Sequence, residues 1–305
     1  MIEMYNVSLK DVLTFKNGKK RPKGSGNIPV YGGNGILGYT DKSNYENCIV
    51  VGRVGAYCGS VYYEPNQCWV SDNAICGTPH KNVDIYYTMY LLKSLHLNQR
   101  HIGTSQPLLT QEILNSIECK VPSFNIQKKI SGILLSIDNK IENNNAINRN
   151  LSEQAQAIYE SWFVSFEKFG GMVPLDWGEG VLGDIAEIKT TTFKPDKEPD
   201  VIVEHYSIPA LDEKHFPIFE LAEGIKSNKY LLNKNSVMIS KLNPDIKRIW
   251  RPMCLSDRPV CSTEFIVFEA KNKKNKDFIF SILDSDNFSN HLCSHVTGST
   301  GSRQR

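Results

Sequence analysis

A regular spacing of apolar residues runs through the middle of the chain, from Gln127 to Phe166. Side chains recur there at alternating steps of four and three residues, which is the spacing of a coiled-coil seam. Asparagines hold the two central seam positions and apolar residues the others: Ile130, Leu134, Ile137, Ile141, Asn144, Asn148, Leu151, Ala155, Ile158 and Trp162. The pattern predicts one long helix, closed by Gly170 and Gly171.

This helix has two interpretations. It is either a long amphipathic helix packed on its own core, or a spacer about 60 Å long that pairs with a second helix, antiparallel or from another chain. Asn144 and Asn148 favour the spacer, because buried asparagines fix the register and the partner of a coiled coil.

The region before the helix alternates short apolar segments with glycine and proline, which predicts a β-rich domain with tight turns. Cys48–Val51, Ser60–Tyr63 and Cys68–Ser71 are examples of such strands. Helical spacing predicts a helix over Asp84–Leu97, and Thr110 is typical of the start of another.

The sequence pattern at the start of the chain is repeated after the long helix. Leu182–Lys189 repeats the pattern of Leu9–Lys16, and Ile208–Pro209 resembles Ile28–Pro29. Further matches follow in the same order: Val237–Lys241 with Val50–Arg53, Ser262–Glu264 with Ser71–Asn73, Phe278–Leu283 with the Tyr86 helix, and Gly298–Gly301 with Gly103–Gln106. We therefore predict an α+β chain with a duplicated domain.

The predicted boundaries are a first domain at 1–125, the long helix at 126–170 and a second domain at 171–305. The second copy shows no counterpart of residues 110–166, so we expect it to be incomplete at its C-terminal end.

Composition narrows the function classes. The chain has 305 residues, a net charge of +2 and no apolar stretch of about twenty residues, so we expect a globular, cytoplasmic protein without a membrane span. The N-terminal residues show no secretion signal. Eight cysteines form no CxxC pair and seven histidines show no metal-ligand spacing, so we expect buried thiols and no metal site.

Three sequence stretches come close to catalytic or cofactor patterns, but each lacks part of the motif or its structural context. Gly33–Gly38 fits GxGxxG, but no helix follows it, so glycine turns between strands explain it better than dinucleotide binding. Asn243–Ile246 differs from the NPP-aromatic motif of amino-methyltransferases. Asp196, Asp212 and Lys214 loosely fit a nuclease pattern that the first copy lacks.

The order of these parts resembles the DNA-specificity (S) subunit of type I restriction–modification systems. The likeness is carried by Leu9–Val12, Ile28–Gly35, Gly103–Gln106 and the proline-then-glutamine start of the helix in Val121–Ile130, and by Gly298–Gln304. It implies two β-rich target-recognition domains, separated by a long coiled-coil-type helix, that each read half of a split DNA site. Against that family's pattern, we expect this chain to lack a second long helix.

The resemblance also implies partners and chemistry. We expect a non-catalytic chain that binds double-stranded DNA and modification (methyltransferase) subunits, and through them a restriction (motor-nuclease) subunit. S-adenosylmethionine, ATP and magnesium would belong to those partners, and self-association through the spacer helix is a further expectation. The seam residues, Ala155 apart, are the candidate partner contacts.

Candidate DNA contacts come from basic loops and from polar residues after strands. Arg53, in a glycine-bounded turn, is the candidate for guanine recognition, and Lys241 occupies its place in the second copy. The full set is Lys19, Lys20, Arg21, Lys23, Asn34, Arg53, Asn73, Gln106, Lys189, Thr191, Lys194, Lys241, Asn243, Arg248, Arg251, Arg303 and Gln304. For any one lysine a solvated loop is an equal alternative, and Trp250 is a candidate or a core residue.

Two other classes of function remain open. One is a metal-dependent nuclease that uses Asp196, Asp212 and Lys214. The other is a β-rich module that binds a protein or a glycan and oligomerises through a coiled-coil stalk, without salt-dependent affinity for DNA.

Overall fold

The computed structural model describes residues 3–103 and 106–295. The chain forms two compact units, Met1–Ala146 and Ile147–Arg305, and each is described separately below. Helices and strands both contribute substantially, so the α+β prediction is confirmed. Among the described residues, no helix combines the length and apolar character needed to cross a lipid bilayer.

The first unit contains a two-stranded and a six-stranded sheet with helices packed beside them. Its strands are β1 Met4–Ser8, β2 Leu13–Asn17, β3 Ile28–Gly32, β4 Gly35–Thr40, β5 Tyr45–Gly52, β6 Val61–Val70, β7 Ala74–Pro79 and β8 Glu118–Pro122. Its helices are α1 Ile85–Ser94, α2 Gln111–Ser116 and the first part of α3 Phe124–Phe163.

The six-stranded sheet has the order β2-β7-β5-β6-β3-β4. All neighbours are antiparallel except β3 and β6, which run parallel. One face packs on α1 and α2 through a buried core that includes Leu13, Ile49, Ile75, Leu92 and Leu114. The predicted helix starts are correct: the Asp84 and Thr110 side chains accept hydrogen bonds from the N–H groups of Tyr87 and Ile113.

The second unit contains two further sheets, ordered β15-β14-β17-β9 and β10-β13-β16-β11-β12. Its strands are β9 Ala186–Lys189, β10 Thr192–Phe193, β11 Ile202–Tyr206, β12 Ile218–Leu221, β13 Lys229–Leu231, β14 Ser236–Ser240, β15 Ile249–Trp250, β16 Pro259–Ser262 and β17 Phe265–Ala270. Its helices are the rest of α3, α4 Leu182–Ile185, α5 Ile208–Lys214, α6 Lys276–Asp284 and α7 Asp286–Ser294.

Strand pairing supports the sequence repeat. The antiparallel trio β2-β7-β5 has its counterpart in β9-β17-β14, and the parallel pair β3-β6 has its counterpart in β11-β16. Helix α6 follows β17 as α1 follows β7. The glycine-serine match at residues 298–301 lies outside the described residues.

One proposed match in the repeat is wrong. Tyr31 faces Val70 across the parallel pair and Tyr206 faces Cys261, so β3 corresponds to β11. Ile208–Pro209 therefore lies beyond the counterpart of Ile28–Pro29, in the first turn of α5. Proline suits both places, because a backbone N–H in the first turn of a helix or near the end of a strand need not donate a hydrogen bond, so its absence in proline costs no such bond.

The long helix α3 begins at Phe124 and ends at Phe163, three residues before each end of the Gln127–Phe166 apolar pattern, so the predicted 126–170 segment extends seven residues past the helix. It starts two residues after Pro122, and the Ser123 carbonyl accepts hydrogen bonds from the N–H groups of Ile126 and Gln127. Gly170 and Gly171 take positive φ angles after the helix end, the conformation that glycine adopts most easily.

Candidate nucleic-acid interface

Arg53 lies immediately after β5 and is held at the turn between β6 and β7. Its backbone N–H donates to the Asn73 carbonyl at 2.9 Å, and its Nη1 donates to the Asp72 carbonyl at 3.3 Å. The Arg53 carbonyl accepts the Leu109 N–H at 2.9 Å. Its buried Nε finds no hydrogen-bond partner within the described ranges. The guanidinium is thus positioned by backbone while keeping donors for another acceptor.

Lys241 shows the same arrangement in the second unit. It follows β14, its N–H donates to the Glu264 carbonyl at 2.8 Å, and its Nζ donates to the Thr263 carbonyl at 2.8 Å. The ammonium also lies 5.6 Å from the centre of the Tyr230 ring. Each repeat therefore places a cation after the equivalent strand and anchors it to the equivalent turn.

The β3–β4 turn, which carries Asn34, packs against the Arg53 turn. The Ser60 hydroxyl donates to the Gly33 carbonyl at 2.5 Å, and a Cβ on Gly33 would lie 3.3 Å from the Val54 carbonyl oxygen. This close approach explains glycine at that position. Asn34, which is exposed, and Arg53, which is partly buried, thus share one end of the six-stranded sheet.

Two more candidates reach the same end. Asn73 is exposed in the turn that holds Arg53. Gln106 is exposed next to Pro107, whose carbonyl accepts the N–H of Gly55 at 3.0 Å. Four predicted contacts, on four separate loops, therefore lie together: Asn34, Arg53, Asn73 and Gln106.

The basic loop after β2 borders this group. The Lys19 N–H donates to the Val70 carbonyl at 3.0 Å, and the Lys19 carbonyl accepts from the indole of Trp69 at 3.1 Å. Arg21 donates to the Leu37 carbonyl at 3.4 Å, beside the β3–β4 turn. Lys20 and Lys23 are exposed on the same loop. We call the four polar residues and this loop the reading end of the first unit.

Several cations of the second unit are already paired. Arg248 forms a bidentate ion pair with Asp212 at 2.7 and 2.9 Å, and this pair lowers the pKa of the Asp212 carboxyl. Arg251 bonds to Asp277 at 2.7 Å and lies 4.5 Å from the centre of the Phe280 ring. These arginines fix β15 to neighbouring helices, and phosphate would have to compete with the carboxylates.

The remaining second-unit candidates lie on loops. Lys189 pairs with Glu187 at 2.6 Å, while the Thr191 carbonyl accepts the Leu231 N–H at 2.8 Å. Lys194 and Asn243 are exposed. Arg303 and Gln304 lie outside the described residues.

Trp250 belongs to the core of the second unit. It is buried and meets Tyr206 edge-on, with ring centres 4.6 Å apart. The Asp196, Asp212 and Lys214 pattern also has a structural explanation, because Asp212 holds Arg248 and Pro195 begins a short 3-10 turn.

The α3 seam is covered only at its two ends. In the first unit, Ile130 packs on the core and Leu134 is half-buried, but Ile137 and Ile141 are 49% and 52% exposed. In the second unit, Leu151 and Ile158 are 57% and 56% exposed.

Local aromatic contacts hold the C-terminal end of α3. Trp162 is 39% exposed and meets Phe169 edge-on, while Phe163 stacks on Trp177 at 5.3 Å and contacts Phe278 at 4.7 Å. The seam's central part therefore remains exposed within each unit.

Sequence reasoning missed two apolar residues beside the seam. Ile133 and Ile147 are 62% and 55% exposed and each immediately precedes a seam position, so they widen the apolar stripe. An apolar residue one position before a seam residue was the available signal. The helix-start motif includes Gln127 but does not reveal its contacts: the side chain is 4% exposed and its amide bonds to two backbone groups.

Comparisons with known proteins agree on one family. Residues 1–153 and 174–303 match the profile described as the type I restriction modification DNA specificity domain. The specificity subunit of the type I restriction enzyme EcoprrI from Escherichia coli is 32% identical over 111 residues, 36% of this chain and 28% of that protein. The HindI specificity subunit from Haemophilus influenzae is 39% identical over 61 residues, 20% of this chain and 13% of that protein.

A solved structure supports the fold. The crystal structure of a type I restriction–modification S subunit from M. genitalium matches with a TM-score of 0.65 and 19% sequence identity, covering 99% of this chain and 83% of that one. The aligned segments therefore span only 28% and 13% of the lengths of these two relatives, the EcoprrI and HindI subunits.

Proposed function

The chain belongs to the type I restriction–modification DNA specificity family, and on that premise we propose that it is the sequence-specific DNA-recognition subunit of such a complex. Residues 1–125 and 171–305 each read half of a split target, and residues 126–170 separate them. Modification subunits methylate the site that this chain selects, and a restriction subunit joins through them. The chain itself performs no chemistry.

The observation that carries this proposal is the reading end of the first unit. Asn34, Arg53, Asn73 and Gln106 offer amide and guanidinium groups, the side chains that bond to adenine and guanine edges in the major groove. The basic loop beside them supplies charge for phosphates, which fix the register of a protein on DNA. Because Lys241 repeats the position of Arg53, the second unit offers a related contact.

The test is to express the chain with the modification subunit encoded beside it in a host without other DNA methylation, and to map methylated bases across the genome. Methylation at one two-part motif with a fixed gap is the expected result. Salt-sensitive DNA binding by the purified chain is the second expected result. Absence of both would favour the β-rich protein- or glycan-binding module.

The nuclease alternative makes a different prediction. The purified chain would cleave DNA with magnesium or manganese, and Asp212→Ala would abolish cleavage. We expect no cleavage, because Asp212 already holds Arg248 through both carboxylate oxygens.

The exposed seam is the proposed contact for partner helices. Its positions are spaced symmetrically about residue 146, so two antiparallel copies of α3 would place Asn144 of each opposite Asn148 of the other. Paired asparagines satisfy their amides, whereas a shift of seven residues would place them opposite Ile141 and Ile137. Light scattering on the purified chain tests self-association: a dimer supports it, and a monomer at high concentration excludes it.

A further inference from the structure

The first turn of α3 is fastened to helix α1 through Gln127. Its Oε1 accepts the N–H of Asp84, the N-cap of α1, at 3.0 Å, and its Nε2 donates to the Pro122 carbonyl at 2.9 Å. The side chain is 4% exposed. An amide of this length is needed because one bond requires an acceptor and the other a donor.

A second fastening lies further along the helix. The Tyr90 hydroxyl, on α1, donates to Asp138 Oδ2 at 2.5 Å. Burial and the Asp138 carboxylate raise the pKa of Tyr90 to about 12, so the phenol remains a donor at neutral pH. Gln127 and Asp138 are three turns apart, roughly 16 Å along the axis. Two separated bonds fix the direction of a helix, which one bond does not.

Helix α1 in turn is fixed to the reading end. It follows β7, which begins at Ala74, directly after the Asn73 turn that holds Arg53. Met89 and Leu92 of α1 are buried in the core beneath the same sheet. A continuous path of packed elements therefore joins the candidate base contacts to the start of α3.

We propose that Gln127 and the Tyr90–Asp138 pair are positioning residues that set the number of base pairs between the two halves of the DNA target. A tilt of about 3° at the start of a helix about 60 Å long moves its far end by about 3 Å, close to one base-pair step of roughly 3.4 Å. A small change in the angle between α1 and α3 would thus change the number of base pairs between half-sites that the protein tolerates. This inference rests on the proposed function.

The experiment compares the methylated motif of the full chain with those of Gln127→Met, Tyr90→Phe and the double variant, each expressed with the modification subunit. Asp138→Asn keeps an acceptor for Tyr90, and Gln99→Met is an exposed matched control. We expect the double variant to keep both half-site sequences but to methylate sites one base pair longer or shorter, with discrimination between gaps reduced about tenfold. Asp138→Asn and Gln99→Met should keep the original gap.

The outcomes separate two failures. If the unchanged chain methylates no two-part motif, the proposed function is wrong. If it does, and the double variant methylates with undiminished discrimination between gaps, the positioning role is wrong. An equal loss at every gap by a folded variant also overturns it, because that result indicates only weaker assembly. Should Gln127→Met fail to fold, Tyr90→Phe with Asp138→Ala gives the same decision, since Asp138 is exposed and Tyr90 is only partly buried.

Discussion

Replacing Ile137 and Ile141 with aspartate should separate partner binding from folding. Both side chains are about half exposed within the chain, at 49% and 52%, so a partner helix would bury the remaining half of each. Full burial of an isoleucine is worth about 1.5–3 kcal/mol, so half burial of two contributes a total of about 1.5–3 kcal/mol. The loss corresponds to roughly 10- to 150-fold weaker association.

Two further effects determine the size of the change. Burying aspartate carboxylates in the seam adds a desolvation cost, so the observed weakening should exceed this range. The folded chain should lose little stability, since substitutions of exposed residues usually change the free energy of unfolding by about 0.5 kcal/mol or less.

The assay is co-purification with the modification subunit, followed by light scattering, with circular dichroism and thermal unfolding of the chain alone. Asn139→Asp with Asn143→Asp is the matched control, because it adds the same charges at the same spacing to exposed positions outside the seam. A stable complex with the Ile137 and Ile141 variant would refute the reasoning. A large fall in the melting temperature would also refute it, since the seam would then pack within the chain.

Three other changes test separate features. Arg53→Ala should cost about 1–3 kcal/mol at one base pair of the target, and equal loss on every sequence would make Arg53 a phosphate contact. Reversing the charge at Lys19 and Lys20 should weaken binding to all DNA sequences. The slope of log affinity against log salt concentration, measured by fluorescence anisotropy, should fall in magnitude by roughly one unit per lost phosphate contact, and an unchanged slope would exclude this loop as a phosphate contact. Burial and, to a smaller extent, the charge of Lys229 lower the pKa of His205, so folding favours the neutral imidazole. Stability measured by thermal unfolding should therefore fall as the pH drops below about 6.5, and His205→Asn should flatten that trend. An unchanged trend in the variant would assign the pH dependence to other groups.

The sequence predicted what local patterns encode. Alternating segments, helix caps at Asp84 and Thr110, the long helix and the repeated opening all appear in the structure. Apolar spacing and cap chemistry act over a few residues, so they are readable along the chain. The equivalence of Arg53 and Lys241 was also predictable, because each follows a matching strand.

Contacts between distant residues were not predictable. Arg248 was assigned to DNA, but its partner Asp212 lies 36 residues away, on α5. Ile208–Pro209 resembled a strand dipeptide, yet Ser207 accepts the Ala210 N–H and makes it a helix start. A dipeptide does not reveal which element it enters. Gln127 was seen only as part of a motif, because both its partners come from other elements.

The exposed middle of α3 has a consequence for cooperativity. Residues 136–158 are all exposed, so no core contact holds the helix there, whereas Gln127 and Tyr159 tie its ends to different hydrophobic cores. Between the Tyr90–Asp138 and Gln156–Asp284 hydrogen bonds, a helix segment without buried side chains depends mainly on its own marginal propensity. Each end of the helix should therefore melt with the core that it packs on. Because fraying of the asparagine-rich centre uncouples the two ends, calorimetry should resolve two unfolding transitions.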